Sequence, residues 1–296
     1  MQVIAKVVTY ISMRSSIRFV KMSGAGNDFV VVDDMRQEIR CDKSKLAVAL
    51  CAPHTGIGAD GALFIEPSER ADFFMRYYNA DGTYGGMCGN GGRCAARYAY
   101  IAGIARTPMT FEALDHVYAA NIVDANVKLR MKDPTIFQAR SVRIGDRTID
   151  GVFIDTGSPH FVAEAAHLND VDVRQHGRSI RFAAAFAPDG CNANFVELLQ
   201  DGTVRIRTYE RGVEAETLAC GTGCIAAALA LAQKYNMESP VRLKVRSGEE
   251  LRVYVQRVND RFTDVHLEGS AHFLFAGTVT YESETNAIVD SPDIVK

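Results

Sequence analysis

Two short stretches that read as copies of each other constrain the fold most strongly. Cys88 begins the stretch CGNGGRCAAR, and Cys220 begins the stretch CGTGCIAAAL. In each stretch a cysteine precedes a glycine-rich turn, and the alanine-rich run that follows is typical of a helix. The two leading cysteines are 132 positions apart, so the sequence predicts the same local structure twice.

The offset between the two cysteines recurs at other landmarks. Phe29 in GAGNDFV matches Phe161 in TGSPHFV, and Asp60 in GIGADG matches Asn192 in CNANF, each at a distance of 132. The loops NADG and YERG precede the two cysteines in the same order, at a slightly different offset. Landmarks repeated in one order indicate an internal duplication. We therefore expect two tandem domains related by a pseudo-twofold axis, which would bring equivalent loops face to face.

Composition limits the classes of protein to be considered. A chain of 296 residues has room for two domains of ordinary size. The net charge of −3 gives no electrostatic sign of a nucleic-acid or membrane partner, and no apolar run is long enough to span a bilayer. Seven cysteines form an odd set without the spacing of a disulfide framework. This pattern favours a reducing compartment and predicts a cytoplasmic protein.

Local patterns predict both helices and strands in each half. Helices are expected at 43–52, 89–101, near 172–177 and at 222–234. Strands are expected at 17–22, 29–32, 62–65 and 71–78, a hairpin from 195–199 to 204–209, and antiparallel strands within 241–281. The predicted boundaries are an N-terminal extension at 1–16, a first domain at 17–133, a second domain at 134–276 and a polar tail at 284–296. A strand at about 277–283 is expected to complete the first domain.

The N-terminal extension has a superficial likeness to a signal peptide. Lys6 and Thr9 interrupt its apolar run, and no cleavage site with small residues follows. We interpret it as an extension of the chain, or as the result of a translation start that lies at Met13.

A cysteine at the N-terminus of a helix faces backbone N–H groups and the positive end of the helix dipole. Both favour the thiolate and would lower the pKa of the thiol below its free value of about 8.5. Two such helix ends facing each other would hold a carboxylate between two sulfur atoms. One cysteine could then remove the proton next to that carboxylate, while the other delivers a proton to the opposite face. The pattern predicts inversion of a stereocentre without a cofactor.

Other roles for the cysteines and glycine-rich turns were weighed. A free cysteine is usually a small buried hydrophobic residue, and we assign that role to Cys41, Cys51, Cys94, Cys191 and Cys224. A zinc site is not favoured because the chain has no Cys-x-x-Cys pair with a histidine-rich partner. The turns match neither common nucleotide-binding pattern. A binding module that switches between thiols and a disulfide, without turnover, remains an alternative from another class.

Several stretches together resemble the diaminopimelate epimerase family over about 19–281. They are MSGAGNDFVVVD, GIGADG, NADGTYGGMCGNGGRCAARY, GSPHFV, NANFVE and YERGVEAETLACGTGCIAAALA. The resemblance implies an α+β fold of two pseudo-twofold-related domains, each a curled mixed β-sheet around a central α-helix, with the site in the cleft between them. It also implies cofactor-independent epimerisation of LL- to meso-2,6-diaminopimelate in lysine biosynthesis, by a homodimer. The alternative enzyme is a related racemase that acts on another amino acid without a cofactor.

The resemblance also implies roles for individual residues. Cys88 and Cys220 would be the acid/base pair, with His160 and Glu210 tuning their pKa values. The substrate would be bound by Asn27, Gly61, Asn79, Gly89, Asn90, Ser158, Asn192, Glu210, Arg211, Gly221 and Thr222. Arg211 suits a distal carboxylate because its planar fork can bind one through two hydrogen bonds. Two positions depart from the usual family pattern, since Gly61 stands where many members have glutamine and Ser158 where many have asparagine.

Overall fold

The structure is a computed structural model and describes residues 14–259 and 261–290. Its α-helices are α1 (Lys43–Cys51), α2 (Gly89–Ile101), α3 (Val173–Arg181) and α4 (Gly221–Tyr235), and two 3-10 helices lie at Leu168–Asp170 and Ala184–Phe186. The strands of the first half are β1 (Arg14–Gly24), β2 (Asn27–Asp33), β3 (Gly61–Glu66), β4 (Phe73–Asn79), β5 (Tyr84–Gly85), β6 (Met109–Ala113), β7 (His116–Val123) and β8 (Asn126–Arg130). The remaining strands are β9 (Ile136–Ile144), β10 (Arg147–Asp155), β11 (Pro159–Glu164), β12 (Asn192–Leu198), β13 (Val204–Glu210), β14 (Ala215–Thr217), β15 (Val241–Lys244), β16 (Glu250–Val258), β17 (Arg261–Ser270), β18 (His272–Glu282) and β19 (Ala287–Val289).

The two halves repeat the same strand pairing. In the first half β2 pairs in parallel with β3 and aligns Phe29 with Gly61. In the second half β11 pairs in parallel with β12 and aligns Phe161 with Ala193. Both members of the second pair are shifted by 132 from the first, so the offset in the sequence is also the offset in the register. Antiparallel pairs β3–β4 and β12–β13 extend the two sheets in the same way.

A pair of strands, β8 and β17, joins the two halves. Strands β8 and β17 are antiparallel, with Leu129 opposite Leu267. Helices α2 and α4 contribute their buried faces to one hydrophobic core that draws residues from both halves. The expected α+β fold, with two related halves and a central helix in each, is confirmed.

The C-terminal part of the chain returns to the first half. Strand β18 pairs with β1 from Ser23 and His272 at one end to Arg14 and Glu282 at the other. Strand β19 lies within the segment expected as a polar tail and pairs with the end of β18. Residues 1–13, which hold most of the expected N-terminal extension and the alternative start at Met13, lie outside the described residues, as do residues 291–296.

Helix capping differs between the peripheral and central helices. Asp42 caps α1 by accepting hydrogen bonds from the backbone of Ser44 and Lys45, and Asp172 caps α3 by accepting one from Gln175. Helices α2 and α4 begin instead at Cys88 and Cys220, neither of which makes a side-chain capping bond. Their first-turn amides are therefore available to another acceptor.

The predicted helices are all present. Helix α3 runs four residues beyond the expected end because its apolar side chains, among them Ile180, pack against β12 and β13. None of the helices in residues 14–259 and 261–290 is long and apolar enough to cross a membrane.

Candidate active site

The N-termini of α2 and α4 meet at the junction between the halves. Cys88 and Cys220 each have an extended backbone conformation directly before their helix. A Cβ atom added to Gly89 would lie 3.9 Å from Cδ2 of Leu267, and one added to Gly221 would lie 2.9 Å from the same atom. Both helix ends therefore contact one side chain of the central strand β17, which brings the two cysteines to one place.

The two thiols lie in an environment that favours the neutral form. Burial raises the pKa of Cys88, opposed by the N–H groups of Gly91 and Asn90. Burial also raises the pKa of Cys220 well above its usual value, and the negative charge of Glu210 adds to that effect. The expectation that the helix ends would lower both pKa values is thus wrong for this geometry. The amides act in the expected direction, but the loss of water around the sulfur atoms outweighs them.

Glu210 is the acidic group common to both cysteines. It ends strand β13, and burial raises its pKa, opposed by the side chain of Thr217. Its charge also acts on the pKa of Cys88 in the upward direction. A carboxylate whose charge acts on both sulfur atoms disfavours the state in which both are thiolates.

His160 lies behind the second half of the site and is fully buried in β11. Its Nδ1 atom is 3.2 Å from Nδ2 of Asn194, whose amide group donates to it, and its Nε2 atom has no hydrogen-bond partner among the described residues. Burial lowers the pKa of His160 to about 3. Above about pH 4 the ring is neutral, so it can influence the site only as an uncharged hydrogen-bonding group.

Asn27 and Asn90 form one wall of the site from the first half. Asn90 donates to Oδ1 of Asn27 at 2.7 Å, and Asn27 donates to Oδ2 of Asp60 at 2.8 Å. Behind them, Arg93 donates from Nη2 to Oδ1 of Asn90 at 2.8 Å. Arg93 is fully buried and has no carboxylate within 4.0 Å in the part of the chain that the structure describes. Because a guanidinium only donates, it fixes the orientation of both amides.

Ser158, Asn192 and Arg211 form the matching wall from the second half. Asn192 donates to Oγ of Ser158 at 3.0 Å and to the carbonyl oxygen of Pro159 at 2.9 Å. Its Oδ1 accepts from the backbone N–H of Arg211 at 2.8 Å. Asn192 therefore ties the turn before β11 to the turn after β13, much as Asp60 ties the start of β2 to the start of β3.

Asn79 and Gly61 lie side by side at the ends of β4 and β3. The hydroxyl of Tyr77 donates to Oδ1 of Asn79 at 2.6 Å, and the Tyr77 ring lies against Gly61. Thr222 lies two residues after Cys220, and its Oγ1 is 3.6 Å from Sγ of that cysteine. The predicted site residues thus lie at or near strand ends, in the turns next to them or in the first turns of α2 and α4.

Two residues at the site were missed by the sequence analysis. Arg93 carries a signal that could have been used, because an arginine inside an otherwise small and apolar helix needs buried acceptors. Tyr77 carries no such signal, since its position against Gly61 depends on strand register. The cysteines assigned to the core are buried or partly buried, and burial raises the pKa values of Cys94 and Cys224 to about 12.

The described residues contain no group of three or more His, Cys, Asp and Glu side chains placed to hold a metal ion. What the site offers is two acid/base groups, two helix ends without a side-chain capping bond and a set of oriented side-chain amides. Such an arrangement can bind a carboxylate and exchange protons on either side of it.

Comparison with known proteins identifies the family. The diaminopimelate epimerase family model matches residues 19–136 and 152–273. The chain is 44% identical over 263 residues to the diaminopimelate epimerase of Chlorobaculum tepidum, covering 88% of this chain and 100% of that protein. It is 38% identical over 278 residues to the diaminopimelate epimerase of Aquifex aeolicus, covering 90% of this chain and 99% of that protein.

Solved structures of low sequence identity share the fold. A phenazine biosynthesis protein of the PhzF family from Bacillus anthracis superposes with a TM-score of 0.71 at 14% identity, covering 90% of this chain and 99% of that one. A hydroxyproline epimerase from Agrobacterium vitis superposes with a TM-score of 0.68 at 13% identity, covering 94% and 96%. The family model, the relatives and the paired cysteine turns agree, and the chain belongs to the diaminopimelate epimerase family.

Proposed function

We propose that this chain is an isomerase that converts LL-2,6-diaminopimelate to meso-2,6-diaminopimelate in lysine biosynthesis, through two cysteines and no cofactor. The observation that carries the proposal is the meeting of two cysteine-led helix ends at Leu267. Relatives named diaminopimelate epimerase match almost the whole chain. Cys88 and Cys220, which the resemblance implies as the acid/base pair, lead those two helix ends.

The proton path uses one sulfur on each face of the substrate. One cysteine, as a thiolate, takes the α-proton and becomes a thiol, leaving a carbanion conjugated with the carboxylate. The other cysteine, as a thiol, gives its proton to the opposite face of that carbon and becomes a thiolate. Amides of the first turns of α2 and α4 stabilise the negative charge that builds on the carboxylate. The two thiols exchange roles in the reverse direction.

The environments of the two sulfurs differ in a way that suits this division. The pKa of Cys220 is raised well above its usual value by burial and by Glu210. Burial raises the pKa of Cys88 too, but the charge of Arg93 and two amides act against it. Arg93 therefore favours the thiolate at Cys88, and Glu210 favours the thiol at Cys220.

Arg211 is the group proposed to recognise the distal carboxylate of the substrate. It is half-buried in the turn after β13, and its guanidinium has no hydrogen-bond or carboxylate partner in residues 14–259 and 261–290. Its positive charge reaches the site, since it lowers the pKa of His160 in addition to the larger effect of burial. The distal carboxylate of the substrate would meet a guanidinium group that has no other partner among the described residues.

The test is a stereochemical assay with diaminopimelate and lysine under reducing conditions. We expect rapid epimerisation of diaminopimelate and poor turnover of lysine, which lacks the distal carboxylate. Arg211→Met should lower kcat/KM for diaminopimelate by about 100-fold or more, as for loss of a charge-assisted pair. Arg242→Met, at an exposed position of β15, is the matched control and should have little effect.

Other outcomes of that assay would favour the alternatives. Equal rates with lysine and diaminopimelate would favour a racemase of broader or different substrate range. No turnover of any amino acid under reducing conditions would favour a thiol/disulfide binding module.

We also propose that the protein is a cytoplasmic homodimer. Strand β18 pairs with β1 on one side, and among the described residues its other side is covered by β19 only at 280–282. Along the free part, Leu274 and Phe275 have exposed fractions of 52% and 53%. An apolar, unpaired strand edge can pair with the same edge of a second copy about a twofold axis. Seven free cysteines fit a reducing compartment.

Sedimentation velocity tests the dimer. We expect the parent protein to sediment as a dimer and Leu274→Lys to sediment as a monomer at the same concentration. Phe182→Lys replaces an equally exposed aromatic residue after α3 and should leave the dimer intact. A monomeric parent would overturn this proposal and leave the proposed activity untouched.

A further inference from the structure

The ring of Tyr77 is held between two glycines beside the first half of the site. A Cβ atom added to Gly61 would lie 2.5 Å from Cε2 of Tyr77, and one added to Gly85 would lie 2.2 Å from its Cδ1. The ring also meets the ring of Phe29 edge to face, with centroids 6.0 Å apart. Strand pairing fixes this arrangement, because β4 lies between β3 and β5 and aligns Tyr77 with Gly85. The ring, together with the backbone carbonyl oxygen of Tyr78, occupies the space that any side chain at position 61 would need.

The hydroxyl of Tyr77 determines the orientation of Asn79. It is 2.6 Å from Oδ1 of Asn79, and Nδ2 of Asn79 donates to Oγ1 of Thr83 at 2.9 Å. Burial raises the pKa of Tyr77, so the phenol keeps its proton and acts as the donor. The amide oxygen therefore faces Tyr77, and the second N–H of Asn79 is left for another acceptor.

Tyr77 lies within electrostatic reach of the reacting groups. It is half-buried, and the charges of Cys88, Asp60, Cys51 and Glu210 add to burial in raising its pKa. The adjacent Tyr78 points to the other face of β4, where it packs against Phe64 and Tyr84. Of the two neighbouring tyrosines, only Tyr77 is directed toward the cysteines.

We propose that Tyr77 is a positioning and specificity-determining residue of this site, which fills the space above Gly61 and presents the N–H of Asn79 to the substrate. This proposal rests on the proposed function and deepens it. The ligand class is an amino acid with an anionic or carbonyl oxygen that approaches Asn79. In this chain the side wall of the cleft is a rigid aromatic ring rather than a flexible side chain from position 61.

The first experiment removes the hydroxyl and keeps the ring. Tyr77→Phe should fold normally, raise KM for diaminopimelate roughly five- to tenfold, as for loss of one positioned hydrogen bond, and change kcat by less than about twofold. Tyr78→Phe is the matched control and should leave both constants at parent values. A purely structural role for Tyr77 would lower the amount of folded enzyme without changing KM.

The second experiment tests the packing without using substrate. Gly61→Ala should lower Tm because the new Cβ meets both the Tyr77 ring and the backbone carbonyl oxygen of Tyr78. In a Tyr77→Ala background the same substitution should lower Tm less, by the part of the loss that the ring causes. Additive Tm changes would overturn the packing part of the proposal.

An unchanged KM for Tyr77→Phe, in a preparation whose parent epimerises diaminopimelate, would overturn the positioning part. A parent without turnover would instead count against the proposed function, and the coupling between positions 61 and 77 would still be measurable.

Discussion

The chemistry of each sulfur atom is decided by how much water surrounds it. The helix position of Cys88 and Cys220 provides amides that favour the thiolate, and the sequence predicts that position correctly. The pKa values nevertheless move upward, since burial is the largest cause for both thiols. Burial depends on contacts from remote parts of the chain, such as Leu267 and Glu210, and no local motif encodes them.

At the residue scale, replacement of either site cysteine should abolish epimerisation. Cys88→Ala and Cys220→Ala should each reduce turnover by at least ~10²–10⁴, the range for loss of a general acid or base, because each removes one end of the proton path. Cys94→Ala and Cys224→Ala provide matched controls, since these thiols lie deeper in the same two helices and are fully buried. The controls should keep most of the turnover, and circular dichroism should show all four variants folded. Near-parental turnover by either site variant would refute the assignment of acid and base.

At the scale of the element, the two glycine turns are alike in sequence but differ in tightness. Gly91 and Gly223 are equivalent positions, 132 apart. A Cβ atom at Gly91 would lie 3.3 Å from a flexible methyl group of Leu63, whereas one at Gly223 would lie 2.5 Å from Oδ1 of Asn194 and 3.3 Å from Sγ of Cys220. The second turn therefore has no room for a side chain.

Alanine substitution at the two equivalent glycines should give unequal results. Gly223→Ala displaces Asn194 and Cys220, so we expect an overpacking cost of about 1–3 kcal/mol in the free energy of unfolding and a loss of turnover of at least about tenfold. Gly91→Ala should have a smaller effect on both, since alanine in a helix offsets part of the crowding by about 0.5–1 kcal/mol. Thermal unfolding and steady-state kinetics measure the two effects. Equal losses at both positions would show that the difference in packing does not control the reactive geometry.

At the scale of the whole molecule, the duplication was enough to predict the two related halves. Its offset of 132 appears again in the register of β2–β3 and β11–β12. The central pairing of β8 with β17 could not be read from the sequence, because each half shows only its own pattern. The same holds for the buried contacts of Arg93 and Tyr77 with the other strands of the site. Sequence motifs located the site, and long-range packing determines its electrostatics and shape.

The central claim is that two sulfurs on opposite faces move two different protons. The most direct measurement is epimerisation of one diaminopimelate diastereomer in D₂O, sampled early and analysed by mass spectrometry of both diastereomers. The donating thiol exchanges with solvent before the substrate binds, so the new diastereomer should carry deuterium at the inverted carbon. The remaining starting material should stay largely protiated, since reversal returns the proton just taken. The same pattern is expected from either diastereomer. Early product that keeps its original hydrogen would indicate a single base and would contradict the account.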